Sequence, residues 1–571
     1  MPLKFLRKVE QQHYIRETNE FIKAELEGAR RQVAAFLERD ERSSNNPRDV
    51  LFAESANLYL DSLAQLYALA ERPVDGRPNP FRDRFLTEFP EIIYYLATAV
   101  YQRQDELPYR FFTTRAPESR FAPSEVALEY AVSIRAAEAV NYNYHDRFRS
   151  FYPTNPECRA PLVTLSGGPV ATLKARLKLC CGMSEAPIVP LTPNELLELL
   201  RHSQNLSCIR LPRWSSQHIR TYALAAHEHM HRVLNSAQII TRAATDAFVA
   251  QRIEQNSTER NIDAIWSNEN LSEEARRQAR EEFVSHVERY APAAGNNLAT
   301  LSVAAYEFFQ DVWRSYRKQA QSGADGAMIR ALCGVPEDQL GATRGTEQLE
   351  PLRTTALLHT RELLADVGAI LIAGPAFAFA FRTIHPIAAA KAGIAPGNHS
   401  HPSPSLRVWL HIHLLRRFRF ERIATLLQED LHDEWKELKE SADVLDEACE
   451  KFFSSVGAGR DGTFDHLVAH ITDATSDCTY DLRRPRAANV SAPTEEELLD
   501  RWSGFARAVE EERQVLSAEM LDMSPEDAIN ALWWKRLTEQ NEDSTREARH
   551  RLAWRVVLRN YGRLREEPYT T

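Results

Sequence analysis

Thr221-Tyr-Ala-Leu-Ala-Ala-His-Glu-His-Met-His-Arg-Val-Leu234 is the stretch whose reading decides the fold. It is rich in alanine and leucine, and at about 3.6 residues per turn of helix His227 and His231 project from one face. Two imidazoles one turn apart make a claw for zinc. Glu228, next to the first of them, can reach a metal-bound water without itself being a ligand, which is the general-base position. The hydroxyls of Trp214-Ser215-Ser216 are N-cap candidates, and the predicted helix runs from Gln217 to about Ser236.

Upstream of this helix, between Phe151 and Trp214, prolines and short apolar runs interrupt the helical texture. Ala160–Leu165, Ala186–Leu191 and Ser207–Leu211 are the best strand candidates, and the last is a candidate edge for pairing with an extended peptide. Residues 1–150 read as a helical N-terminal region, with amphipathic patterns over Lys8–Arg42, Val50–Ala70, Phe85–Tyr101 and Ser124–Tyr142.

Downstream, residues 236–352 read as a mostly helical, charged insertion. Helices are predicted over Ile239–Ile253, Glu273–Tyr290, Ala299–Ala320 and Gly326–Leu332. Thr354–Ala373 is then a strongly apolar helix stopped by Gly374-Pro375, and it contains Glu362 and Asp366 at i and i+4. Carboxylates in so apolar a helix are costly unless paired or metal-bound.

A catalytic zinc takes three protein ligands and keeps a fourth position for water. The extended pattern with a third histidine ten residues after the first is absent, because position 237 is alanine. Glu362 is therefore the first choice for the third ligand, ahead of His359, Glu347 and Glu350. Asp366 is placed to accept a hydrogen bond from a ligand imidazole N–H. After a Gly/Pro-rich loop, His401-Pro-Ser-Pro-Ser-Leu-Arg407 leads into a helix predicted over Val408–Glu429. His401 and Arg407 are candidates for the group that steadies a reaction oxyanion; equally, His401 reads as a turn residue and Arg407 as a cap or ion-pair partner. The rest, 431–571, reads as a helical C-terminal region, with helices over Glu434–Ser454, Thr494–Met520, Ser524–Thr538 and Ser544–Tyr561.

The 571 residues carry a formal net charge of -10, which disfavours a general nucleic-acid-binding role. The basic run Arg416–Arg422 is interleaved with phenylalanines and reads as an amphipathic helix face. Seven cysteines without a C-x-x-C pair, and an N-terminus lacking an apolar signal core, fit thiols in a reducing cytoplasm. The longest nearly uncharged apolar run, Val367–Phe381, is broken by Gly374-Pro375 and falls short of the roughly 20 residues a membrane span needs.

His-Glu-x-x-His at 227–231, Glu-Leu-Leu-Ala-Asp at 362–366 and His-Pro-x-x-x-x-Arg at 401–407 resemble, in that order, the motifs of gluzincin zinc metallopeptidases. They look most like the branch that includes HtpX and the CAAX-prenyl endopeptidases. The resemblance covers roughly 200–415, and it departs from those relatives in lacking transmembrane helices and in the length of the segment between ligands. It implies a mainly α chain in which a zincin-like metallopeptidase core with a small β-sheet, residues 151–430, is flanked by large helical regions. It implies one zinc ion per chain held by His227, His231 and Glu362, with Glu228 as general base, His401 and Arg407 as catalytic candidates, and a protein or peptide as substrate. Two other readings stand beside it: a catalytically silent helical scaffold that keeps the fold, and a zinc amidohydrolase that is not a peptidase.

Overall fold

The structure is a computed structural model that describes residues 2–38, 47–72, 79–106, 137–138, 140–152, 160–166, 171–172, 191–212, 219–255, 257, 262–267, 271–321, 350–384, 400–437, 442–456, 462–475, 480, 482, 492–510 and 523–538. The chain is mainly α, with one small sheet. Helices α1 (Pro2–Glu38), α2 (Pro47–Glu71) and α3 (Pro80–Glu106) pack together around Phe36, Phe52, Tyr59, Leu63, Phe85 and Ile92. All three open on a proline, whose fixed φ suits the first helical position and whose missing N–H is not needed there.

Next in the chain, β1 (Leu162–Ser166), β2 (Ala171–Thr172) and β3 (Cys208–Pro212) form a sheet in the order β1-β3-β2. β1 and β3 are parallel, in register from Leu162 opposite Cys208 to Ser166 opposite Pro212. Parallel neighbours need a crossover; α4 (Pro193–Asn205) lies on it, started by a capping box between Thr192 and Glu195. β3 is the central strand, flanked by β1 on one side and β2 on the other. The expectation that Ser207–Leu211 is an edge strand is therefore corrected: β1 pairs along it on one side, and the two-residue β2 covers Ile209 and Arg210 on the other. Leu162, Leu206 and Cys208 belong to the core of the three-helix layer, and Ile209 and Leu211 to the larger core beyond, so the sheet joins the two.

The larger core is built around α5 (Leu224–Glu254). From Leu224 to Ala237 every residue is buried, polar ones included, as befits a helix surrounded by protein on all sides. Around it lie α6 (Glu273–Glu288), α7 (Asn296–Gln321), α8 (Glu350–Ala373), α9 (Pro375–Ile384) and α10 (Pro404–Arg417). They are followed by α11 (Glu421–Glu437), α12 (Ala442–Ser455), α13 (Thr463–Ala474), α14 (Glu495–Glu510) and α15 (Pro525–Thr538). The C-terminal helices share this core: Trp502, Phe505, Ile529 and Trp533 join the same buried cluster as Met230 and Leu364.

Two helix boundaries differ from expectation, and one helix is additional. α5 does not stop near Ser236 but continues to Glu254, so the start of the charged insertion falls inside one helix. The helix expected over Val408–Glu429 is two, α10 and α11. Arg419 takes a left-handed φ of 70°, and Phe420 N–H closes back on the Leu415 carbonyl at 2.9 Å. This is a Schellman-type ending with arginine where glycine is usual; burial of Phe418 and Phe420 on either side accompanies the turn. Finally, Thr463–Ala474 is an additional helix. The strand expected over Ala186–Leu191, the N-cap hydroxyls of 214–216, and the helices over Gly326–Leu332 and Ser544–Tyr561 lie outside the described residues, apart from the uncoiled Leu191.

Among the described residues no helix is long and apolar enough to cross a membrane. Cys208 and Cys449 are buried thiols, and the other cysteines lie outside the described residues. In the basic run, Arg416 donates to Gln428, Arg417 to Asp465, and Arg422 lies over the Trp534 ring.

Candidate metal centre

The centre lies between α5 and α8, which run antiparallel: rising numbers on one helix meet falling numbers on the other. His227 faces Asp366, His231 faces Glu362, and Asn235 accepts a hydrogen bond from Arg361. The close approach depends on Gly368, where an added Cβ would lie 2.6 Å from Cγ of Met230. α8 ends at Gly374, whose φ of 66° reverses the chain into α9. Asn530 of α15 braces that corner, donating to the Ala373 carbonyl at 2.9 Å and accepting from Ala376 N–H at 2.7 Å.

α5 is fixed from behind by its other face. His229 Nε2–H donates to Asn141 Oδ1 at 2.8 Å, and Asn141 donates in turn to the Pro161 carbonyl. Burial pushes the His229 imidazole well below its ordinary range, which keeps it neutral. Arg232 is buried too, donating to Ser207 Oγ at 3.1 Å and the Gln204 carbonyl at 3.1 Å, meeting His145 Nδ1 at 2.9 Å, and lying over Tyr152. His229 is thus a core histidine, and the phase of α5 is set by polar contacts on the side away from the ligands.

On the facing side, Glu362 Oε2 is 3.3 Å from His227 Nε2, and Oε1 is 3.2 Å from His231 Nε2. The two imidazoles meet edge-on, their centroids 4.5 Å apart. One ligand atom from each of His227, His231 and Glu362 can be chosen so that all lie within 4.8 Å of one another. Ligand atoms bound tetrahedrally at about 2.0–2.2 Å from one ion are about 3.3–3.6 Å apart. The two imidazole–carboxylate separations are close to that range, and the group could hold a metal ion. Among the described residues this is the one group of three such side chains that could hold a metal ion.

No protein-family model, curated protein or solved structure matches this chain. What the residues can do is argued from their surroundings.

Asp366, fully buried one turn beyond Glu362, has its Oδ1 3.0 Å from His227 Nδ1. A carboxylate there directs Nδ1–H towards itself and leaves Nε2 for a metal. Burial alone would lower the His227 pKa, but the close carboxylates of Asp366 and Glu362 outweigh it and raise it to about 9. A cation binding at Nε2 near neutral pH accordingly displaces a proton. For His231 burial wins, and its pKa is lowered.

Arg407 lies on α10, which starts at Pro404 with Ser403 Oγ accepting from Leu406 N–H. Its guanidinium grips Asp366 in a fork, Nη2 to Oδ1 at 2.6 Å and Nε to Oδ2 at 2.7 Å, while Nη1 stands 3.2 Å from Glu362 Oε2. Burial opposes the charge on both carboxylates, but their neighbours prevail: interactions with His231, His227 and Arg407 hold Glu362, and those with Arg407, His411 and His227 hold Asp366, well below the ordinary carboxylate range. His401 is the open member of the group. Its side chain is 42% exposed, with Nε2 3.5 Å from Glu362 Oε1 and Nδ1 2.9 Å from Ser400 Oγ. Glu228 is buried beside His227 and its charge is felt by both His231 and Arg407.

Of the other ligand candidates, His359 faces away from the triad, its Nδ1 2.6 Å from Tyr316 Oη on α7. The side chains of Glu347 and Glu350 lie outside the described residues. From sequence His411 reads as a solvated or core histidine rather than a ligand; it is buried, with Nε2 3.1 Å from Asp366 Oδ2, and Phe377, which sequence reasoning missed, lies parallel to His227 at 5.8 Å. The signal for His411 was its spacing: four residues after Arg407, on the same helix face.

Proposed function

We propose that this chain is a zinc-dependent peptidase of the gluzincin kind that its three motifs resemble. The observation that carries the reading is the meeting of an HExxH helix with Glu362 of a facing helix, at spacings that suit one tetrahedral ion, with Asp366 behind His227.

His227, His231 and Glu362 would hold the zinc ion, which would supply a Lewis acid for the scissile carbonyl and lower the pKa of a water molecule. The remaining work falls to the chain's own groups. The Glu228 carboxylate takes a proton from the attacking water and passes it to the nitrogen of the leaving amine. His401, at the exposed lip of the site, donates from Nε2 to the oxyanion that develops on the carbonyl oxygen. Arg407 adds positive charge behind Glu362 while its fork holds Asp366, and Asp366 keeps the proton of His227 on Nδ1. The parallel Phe377 ring shields one face of the His227 imidazole from water.

The test is hydrolysis of an unfolded protein and of a mixed peptide library by the purified full chain. The expected result is cleavage that stops when the protein is dialysed against 1,10-phenanthroline and returns on adding zinc. Cleavage indifferent to the chelator, or none after zinc loading, contradicts the reading.

A further inference from the structure

We propose that His411 is a positioning residue: it anchors the second oxygen of Asp366 so that the first faces His227 Nδ1, and so orients the leading metal ligand. The inference rests on the reading of His227, His231 and Glu362 as ligands.

The argument starts from the four contacts of one carboxylate. Asp366 Oδ1 receives Arg407 Nη2 at 2.6 Å and faces His227 Nδ1 at 3.0 Å. Oδ2 receives Arg407 Nε at 2.7 Å and faces His411 Nε2 at 3.1 Å. The arginine fork ties the carboxylate to Arg407 alone, and a shift of that long side chain would carry Asp366 away from His227. His411 supplies a second fixed point on the opposite oxygen, from a short side chain with two rotatable bonds.

His411 is itself held. It is fully buried, and its ring meets Phe377 at 5.1 Å and Phe381 at 5.1 Å, both nearly edge-on. The same two rings continue the arrangement outward. Phe377 lies parallel to His227, and the guanidinium of Arg407 sits 4.4 Å from the Phe381 centroid. Helices α9 and α10 each present a pair one turn apart, Phe377 with Phe381 and Arg407 with His411, and the two pairs interleave around Asp366. An imidazole in such an apolar box costs stability that a leucine would not, and among the described residues neither ring nitrogen has an aligned hydrogen-bond partner; what His411 makes is the 3.1 Å approach of Nε2 to the Asp366 carboxylate. The histidine is explained by what it does to Asp366.

Removing a group that supports a metal ligand typically lowers metal affinity about 10–100-fold. The experiment measures zinc affinity of the full chain by competition with a chromophoric chelator, and the visible spectrum of the cobalt-loaded protein, for wild type and three variants. His411→Leu keeps the volume and loses the donor; His411→Asn stays polar but is too short; His411→Gln reaches Asp366 with an amide N–H. The expected result is an affinity about tenfold lower in the leucine and asparagine variants, with altered cobalt bands, and recovery to within about threefold of wild type in the glutamine variant. If the leucine variant does not fold, the asparagine and glutamine pair decides. Wild-type affinity in the short variants, or equal loss in all three, overturns the proposal while leaving the metal centre intact. A wild type that binds neither metal overturns the ligand reading and this proposal with it.

Discussion

Glu228→Gln is expected to keep the fold and the bound metal while lowering peptide hydrolysis by about 10²–10⁴-fold, the usual contribution of a positioned general base. Glutamine matches glutamate in shape, but its amide does not accept a proton at neutral pH. Glu228 is not one of the three converging side chains that could hold a metal ion, so the substitution leaves that donor set untouched. The pairing of results is what matters: kcat/KM falls, zinc content stays at the wild-type level, and the circular dichroism melt is unchanged within the few tenths of a kcal/mol expected of a near-isosteric swap. Activity within threefold of wild type would remove Glu228 from the mechanism. Loss of zinc along with activity would make it a structural contributor to the site.

Arg407→Ala is expected to produce the largest loss of stability, about 3–5 kcal/mol, because it strands a buried carboxylate without its partner. Asp366 is fully buried and Arg407 almost so, and the fork between them is bidentate. Arg407→Lys should recover only part of this, since an ammonium cannot reproduce two parallel N–H bonds. The effect carries a pH signature. Asp366 and Glu362 are held below the ordinary carboxylate range, so the stability they contribute is present above the unfolded-state pKa of about 4 and is lost as the pH falls through the lower folded-state values. Urea unfolding at pH 7 should therefore show the full gap between wild type and variant, and the gap should narrow in acid. A gap below about 1 kcal/mol at pH 7 would mean that the ion pair adds little beyond the cost of burying it.

The parts of this molecule legible from sequence are those whose cause is local. His227 and His231 share a face because of helical pitch, and Glu362 and Asp366 stand out because α8 is too apolar to carry them idly. The strands at Leu162–Ser166 and Cys208–Pro212 lie on short apolar runs, the first just after Pro161 and the second just ahead of the HExxH segment. The partners that depend on tertiary packing were not legible. Nothing near Arg416–Phe420 marks a helix end, because arginine takes the left-handed position that glycine usually marks, and the flanking phenylalanines are buried by helices distant in sequence. β3 reads as an apolar strand whether it is an edge or a centre, and only the two-residue β2 makes it central. His411 reads as an ordinary core histidine until α8 brings Asp366 to it. Likewise, the brace that Asn530 provides at the α8–α9 corner joins residues more than 150 positions apart.

The central claim is that His227, His231 and Glu362 bind one metal ion together. Elemental mass spectrometry of the dialysed full chain, wild type beside Glu362→Ala, tests it most directly. The account predicts about one zinc per chain in the wild type and less than about a tenth of that in the variant, since a site of three protein ligands reduced to two does not hold zinc through dialysis. A wild type that carries no zinc even after reconstitution, or a variant that keeps its full complement, would contradict it.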